Sequence, residues 1–128
     1  GNNSKGQLGD GTTEMRLVPV KVDSAKVFKS VSAGFEHSCA VDDAGTAYCW
    51  GSNITGQLGN GTKEDSFTPV KVAFDAGIKI RSISCGHRHT CALDEDGKVY
   101  CWGWNQDGQL GNGTYDDSDL PVEIRVKE

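Results

Sequence analysis

The heptad Gly-Gln-Leu-Gly-x-Gly-Thr occurs three times in this chain, at 6–12, 56–62 and 108–114. Six of its seven positions are identical in every copy, and the copies stand 50 and 52 residues apart. A period of that length marks a repeat array, in which each unit buries its apolar face against the next. Such an array offers a recognition surface more readily than a single catalytic pocket.

The repetition extends beyond the heptad. Pro19-Val20-Lys21-Val22 recurs as Pro69-Val70-Lys71-Val72 and loosely as Pro121-Val122-Glu123-Ile124. Gly34-Phe35-Glu36-His37-Ser38-Cys39-Ala40-Val41 recurs as Gly86-His87-Arg88-His89-Thr90-Cys91-Ala92-Leu93, and Tyr48-Cys49-Trp50-Gly51 as Tyr100-Cys101-Trp102-Gly103. Each unit reads as short strands. Residues 27–32 and 78–84 alternate apolar and polar side chains, as half-buried strands do. Residues 39–41 and 47–50 flank the turn Asp42-Asp43-Ala44-Gly45-Thr46, and residues 91–93 and 99–102 flank Asp94-Glu95-Asp96-Gly97-Lys98; both are hairpin signatures. The Pro-Val-x-Val segment is a fourth strand, with Pro expected at its start, where a missing N–H does least harm. No helical period of useful length is present.

Four short strands per ~50 residues is the unit of a β-propeller blade. The expected architecture is therefore all-β, with four antiparallel strands per blade. Blade one spans 25–73 and blade two 77–127, while residues 1–24 supply the last strand of a preceding blade. The heptad joins the third strand to the fourth. Gly56, Gln57, Leu58, Gly59 and Gly61 are thus scaffold, as are Trp50 and Trp102, which end the third strands and are expected to pack between blades. Recurrence also argues against a phosphate loop, because no strand–loop–helix context surrounds the glycines.

These residues resemble the regulator of chromosome condensation repeat. The resemblance rests on Gly34-x-x-His37-Ser38, on Gly45-x-x-Tyr48-x-Trp50-Gly51-x-Asn53-x-x-Gly56-Gln57-Leu58-Gly59-x-Gly61, and on Pro69-x-x-Val72, and it covers essentially the whole chain. It implies seven-bladed propellers. The founder of the family is implied to act on a small GTPase and on chromatin. Another branch senses ultraviolet light through tryptophans in Gly-Trp-Arg-His-Thr motifs. Here His87 stands in place of that Trp, which argues against photoreception. The paired cysteines set this chain apart as a bacterial, secreted-like variant.

Cys39 with Cys49, and Cys91 with Cys101, lie symmetrically about their turns. Directly opposite residues on antiparallel strands have Cα atoms roughly 4.5–5.5 Å apart, which suits a disulfide. Two disulfides are expected, with reduced buried thiols and a metal site as alternatives. No Cys-x-x-Cys or His-x-x-x-His spacing supports a metal, and the blades are expected to hold the cysteine pairs far apart. Cys85 is a free thiol at the position of Ala33, either a small buried residue or an intermolecular bridge. No neighbouring base and acid mark it as a nucleophile. Disulfides place the protein outside the cell or at its surface.

His37 and His89 recur at one blade position. A catalytic histidine would occur once, so both are expected to make a structural hydrogen bond within the repeat. His87, Arg88 and Trp104 do not repeat; they are the candidate contacts for a protein partner, with packing between blades the alternative for Trp104. The segment 105–111 has the wrong ligand spacing for a calcium loop. Sequons stand at Asn53, Asn60 and Asn112, two of them inside the heptad.

Seventeen glycines in 128 residues, with no collagen-like period, read as turns. A formal net charge of −5 argues against nucleic acid or an anionic membrane surface as partner. No stretch approaches the ~18 apolar residues of a membrane-spanning helix. No catalytic residue, cofactor or metal is expected.

A propeller avoids exposed edges by closing its ring. Two blades and one strand therefore imply either further blades in a longer chain or several copies in a ring, with 17–22 completing a neighbour's blade. The expected function is a non-enzymatic protein-interaction propeller. The alternatives are an exchange-factor-like regulator of a small GTPase and a hydrolase or lyase at the propeller channel.

Overall fold

The computed structural model describes residues 3–15, 22, 26–106, 108, 110 and 116–124. Eight strands follow one another: β1 (Phe28–Ala33), β2 (His37–Asp42), β3 (Ala47–Gly51), β4 (Ser66–Lys71), β5 (Ile80–Cys85), β6 (His89–Asp94), β7 (Val99–Gly103) and β8 (Ser118–Ile124). They form two antiparallel sheets, ordered β1-β2-β3-β4 and β5-β6-β7-β8. Among the described residues there is no helix, and so none long and apolar enough to cross a membrane. The strand expected at 17–22 lies outside the described residues except for Val22, as do residues 125–127 and most of the third heptad.

The hairpin turns are fixed by one carboxylate each. Asp42 Oδ1 accepts from the backbone N–H of Ala44 and Thr46 at 2.9 and 3.0 Å, and Asp94 Oδ1 accepts from Asp96 and Lys98 at 2.9 and 2.8 Å. This Asx-type closure explains Asp at the first turn position. It also sets the register, which places Cys39 opposite Cys49 and Cys91 opposite Cys101.

The prolines depart from expectation. Pro69 and Pro121 each stand fourth in their strand, not first. Both β4 and β8 are edge strands. In each, pairing shifts register between the cysteine and the glycine of the neighbouring strand (Cys49 and Gly51, Cys101 and Gly103). The proline falls within that irregular stretch on an edge strand, where its missing donor is tolerated.

The two sheets pack through β2 and β1 against β5. One apolar cluster runs through both. It includes Val41, Ala47, Leu58 and Val72 from the first sheet side and Ile80, Ile83, Tyr100 and Trp102 from the second.

Candidate functional site at the blade junction

Between β3 and β4 lies a loop organised by one amide. Asn53 is fully buried. Its Nδ2 donates to the carbonyls of Thr62 and Glu64 at 2.9 and 3.0 Å, and its Oδ1 accepts from Leu58 N–H at 3.0 Å. Asn3 makes the same bonds to Thr12, Glu14 and Leu8, and Asn105 holds Asp116 and Leu110. The Asn53 sequon is therefore internal framework. At the Asn60 sequon, Oδ1 accepts from the Thr62 backbone N–H and hydroxyl. Asn112 lies outside the described residues.

This loop presents one carbonyl to the next blade. The Gln57 oxygen accepts from Thr90 Oγ1 at 2.7 Å and from Trp102 Nε1 at 2.9 Å. The Gln7 oxygen likewise accepts from Ser38 Oγ at 2.8 Å and Trp50 Nε1 at 2.9 Å. Close approach needs glycine. A Cβ on Gly59, at φ +70°, would lie 2.6 Å from Trp102 Nε1, and Gly9 stands in the same relation to Trp50. Phe74 covers Trp102 edge-on, with centroids 5.6 Å apart. The tryptophans thus sit where a blade meets the loop that precedes it.

His37 corrects an expectation. Its ring bonds across the junction, not within the repeat: Nε2 lies 2.9 Å from Thr90 Oγ1 of the second blade. The single hydroxyl proton of Thr90 goes to Gln57, so Nε2 carries the proton and Nδ1 keeps a lone pair. Nδ1 is buried and has no hydrogen-bond partner. Burial above all, then the proximity of His89 and His87, lowers the His37 pKa from 6.5 to about 4; the His89 backbone opposes this. His89 is half-buried, and burial and His87 lower its pKa too. The clue missed in the sequence was the hydroxyl common to Ser38 and Thr90.

Both cysteine pairs are at bonding distance, 2.09 Å for Cys39–Cys49 and 2.15 Å for Cys91–Cys101. The first pair is fully buried, whereas Cys91 is partly exposed. Cys85 is free. It reaches back to the first blade, where its N–H donates to Ser32 Oγ at 3.0 Å and its thiol to Ser32 O at 3.4 Å. Burial pushes the thiol up to about 12, with Ser32 and the Cys39 backbone opposing.

At the end of the blades that carries the β1–β2 and β5–β6 turns, the non-repeating residues converge. Phe35 stacks on His87 from the neighbouring blade, centroids 4.2 Å apart, yet 59% of Phe35 remains exposed. Arg88 lies 5.8 Å from the Trp104 ring centre, and its carbonyl accepts from Trp104 N–H at 2.9 Å. Beside them is an open depression of about 640 Å³, lined by Lys5, Glu36, Ile54, Lys63, Asp65 and Arg88 among others. Phe35, Glu36 and Ile54 join the three residues singled out from sequence. A second depression, about 500 Å³, includes Asp75, Asp94 and Glu123. Its most buried carboxylate, Asp94, is the turn closure already described and repeats Asp42.

Two four-stranded antiparallel sheets, the second hydrogen-bonded to the glycine-rich loop of the first, define a segment of a β-propeller. The family profile "Regulator of chromosome condensation (RCC1) repeat" matches residues 1–41, 44–93 and 96–128, and a second profile of that description matches 28–57 and 80–109. The chain belongs to this family. It is 41% identical over 128 residues to the ultraviolet-B receptor UVR8 of Arabidopsis thaliana, covering 98% of this chain and 29% of the receptor. It is 44% identical over 116 residues to the probable E3 ubiquitin-protein ligase HERC6 of Homo sapiens, covering 88% of this chain and 11% of that protein. In fold it resembles Prp20p of Saccharomyces cerevisiae, with a TM-score of 0.81 at 24% identity, covering 98% of this chain and 33% of that one. The chain thus spans under a third of the curated relatives named here.

Proposed function

We propose that this chain is a non-enzymatic, protein-binding segment of a propeller, and that its partner docks on the blade end formed by Phe35, His87, Arg88 and Trp104. The supporting observation is the contrast between framework and rim. The junction bonds repeat from blade to blade, whereas the exposed aromatics and charges at this end do not. An aromatic and arginine centre beside a rim of both charge signs is the composition of a protein interface. The Prp20p structure was described together with binding to Gsp1p and histones, and a second structure shows the same yeast protein bound by Kap60. That yeast protein therefore takes protein partners, and a protein partner is the reading carried to this chain. The net charge of −5 disfavours nucleic acid. The two cysteine pairs favour an oxidising compartment, outside the cell or at its surface. The remaining sheet faces would be covered by further blades or by other copies of the chain.

A photocrosslinking amino acid at Phe35 tests the site in its native setting, with one at Asp96 on the opposite turn as control. A discrete adduct from position 35, absent from position 96 and lost on Arg88→Ala, is the expected result. Equal labelling from both positions, or an adduct indifferent to Arg88→Ala, would sink the proposal.

A further inference from the structure

We infer that reduction of the Cys39–Cys49 disulfide turns the seam between the blades into a zinc site, with His37, Cys39 and Cys85 as ligands. One ligand atom from each of these residues lies within 4.8 Å of the other two. His37 and Cys39 come from β2 and Cys85 from β5, so the site exists only when the blades are docked. Tetrahedral zinc with Zn–S near 2.3 Å needs its ligand atoms roughly 3.5–3.8 Å apart, a closure of about 1 Å.

A second, independent feature points to a metal. His37 is fully buried, and its Nδ1 lone pair has no donor. A buried acceptor without a partner is costly. The other ring nitrogen donates to Thr90, which donates to Gln57. Metal-binding imidazoles are oriented by this kind of outer bond, which fixes the tautomer. Thiolates and imidazole together suit zinc among the divalent ions. Cys49, freed by reduction, or a water molecule completes the fourth position.

The chemistry balances with a dithiol reductant. It passes two electrons and two protons to the Cys39–Cys49 bond and is itself oxidised to a disulfide. Zinc then displaces the thiol protons to solvent as it binds. Cys85 makes the junction unique. Its counterpart in the first repeat is Ala33, and the second hairpin has no such third cysteine among the described residues.

The test is Co2+ titration of the whole chain after dithiothreitol reduction and anaerobic desalting. One Co2+ per chain is expected, with a thiolate-to-cobalt charge-transfer band and tetrahedral d–d bands, both displaced by Zn2+. Cys85→Ser and His37→Ala should each weaken binding at least ~10-fold. A Cys91→Ser/Cys101→Ser variant should keep the bands, and the oxidised protein should show none. Reduced protein without a thiolate band, or bands that survive Cys85→Ser, would overturn the inference. A readout free of mutation is alkylation of Cys85 in reduced wild-type protein. Zn2+ should slow it at least ~10-fold and Mg2+ should not; an equal rate with and without Zn2+ also overturns the site.

Discussion

The hydroxyl of Thr90 lies 2.9 Å from Nε2 of His37, a residue 53 positions earlier in the adjoining blade. It donates its own hydrogen bond to the Gln57 carbonyl. Thr90→Val keeps the shape and removes both bonds, leaving a buried N–H and a half-satisfied carbonyl. The expected loss is about 1–3 kcal/mol, read as a lower urea midpoint with unchanged m. Thr90→Ser should restore most of it.

Gly59 and Gly97 separate two costs of adding a methyl. Both have positive φ, +70° and +87°, but a Cβ on Gly97 meets nothing within 4 Å. Gly97→Ala should cost only backbone strain, about 1–2 kcal/mol. Gly59→Ala must also push Trp102 from the Gln57 carbonyl. It should lower the melting temperature further and shift the tryptophan emission; equal losses in the two variants would refute the contact.

Stability should fall with acid through one window. The folded His37 resists protonation down to about 4, whereas unfolded it protonates near 6.5. Between these values the unfolded chain binds the extra proton, so stability is complete above pH 6.5 and erodes as pH drops toward 4. The effect is of order 3 kcal/mol, and the lowered His89 adds in the same direction. Urea melts at several pH values should show this slope, and His37→Gln should flatten it.

The disulfides should open in order. Cys91 is partly exposed, while Cys39 and Cys49 are fully buried. Under limited reductant, alkylation mapped by mass spectrometry should reach Cys91 and Cys101 first. Each pair spans a separation of 10 residues, for which chain entropy gives about 2.5–3 kcal/mol. Removing either pair by double substitution to Ala should cost on that order.

What could be read from sequence was local. The Asp42 and Asp94 turns fix the hairpin register within a few residues, and with it the cysteine partners. The cross-blade relations were hidden for a physical reason. A repeat reveals which residues are equivalent, but not whether an equivalent pair bonds at home or next door. The sequence alone therefore puts the His37 bond within its own blade and leaves Cys85 as an Ala-like buried residue or an intermolecular bridge, with no sign of its approach to Cys39. Sequence alone puts the prolines at strand starts, because the edge position of β4 and β8 follows only from the assembled sheet.

The Gln57 carbonyl has one more consequence, for how such arrays change length. Gln7 and Gln57, fifty residues apart at one repeat position, each accept a hydroxyl and an indole from the second and third strands of the blade that follows. Excising or duplicating one whole period joins an acceptor to matching donors wherever the cut falls. Blade number can thus drift through unequal recombination while the bonds from hydroxyl and indole to the loop carbonyl are kept.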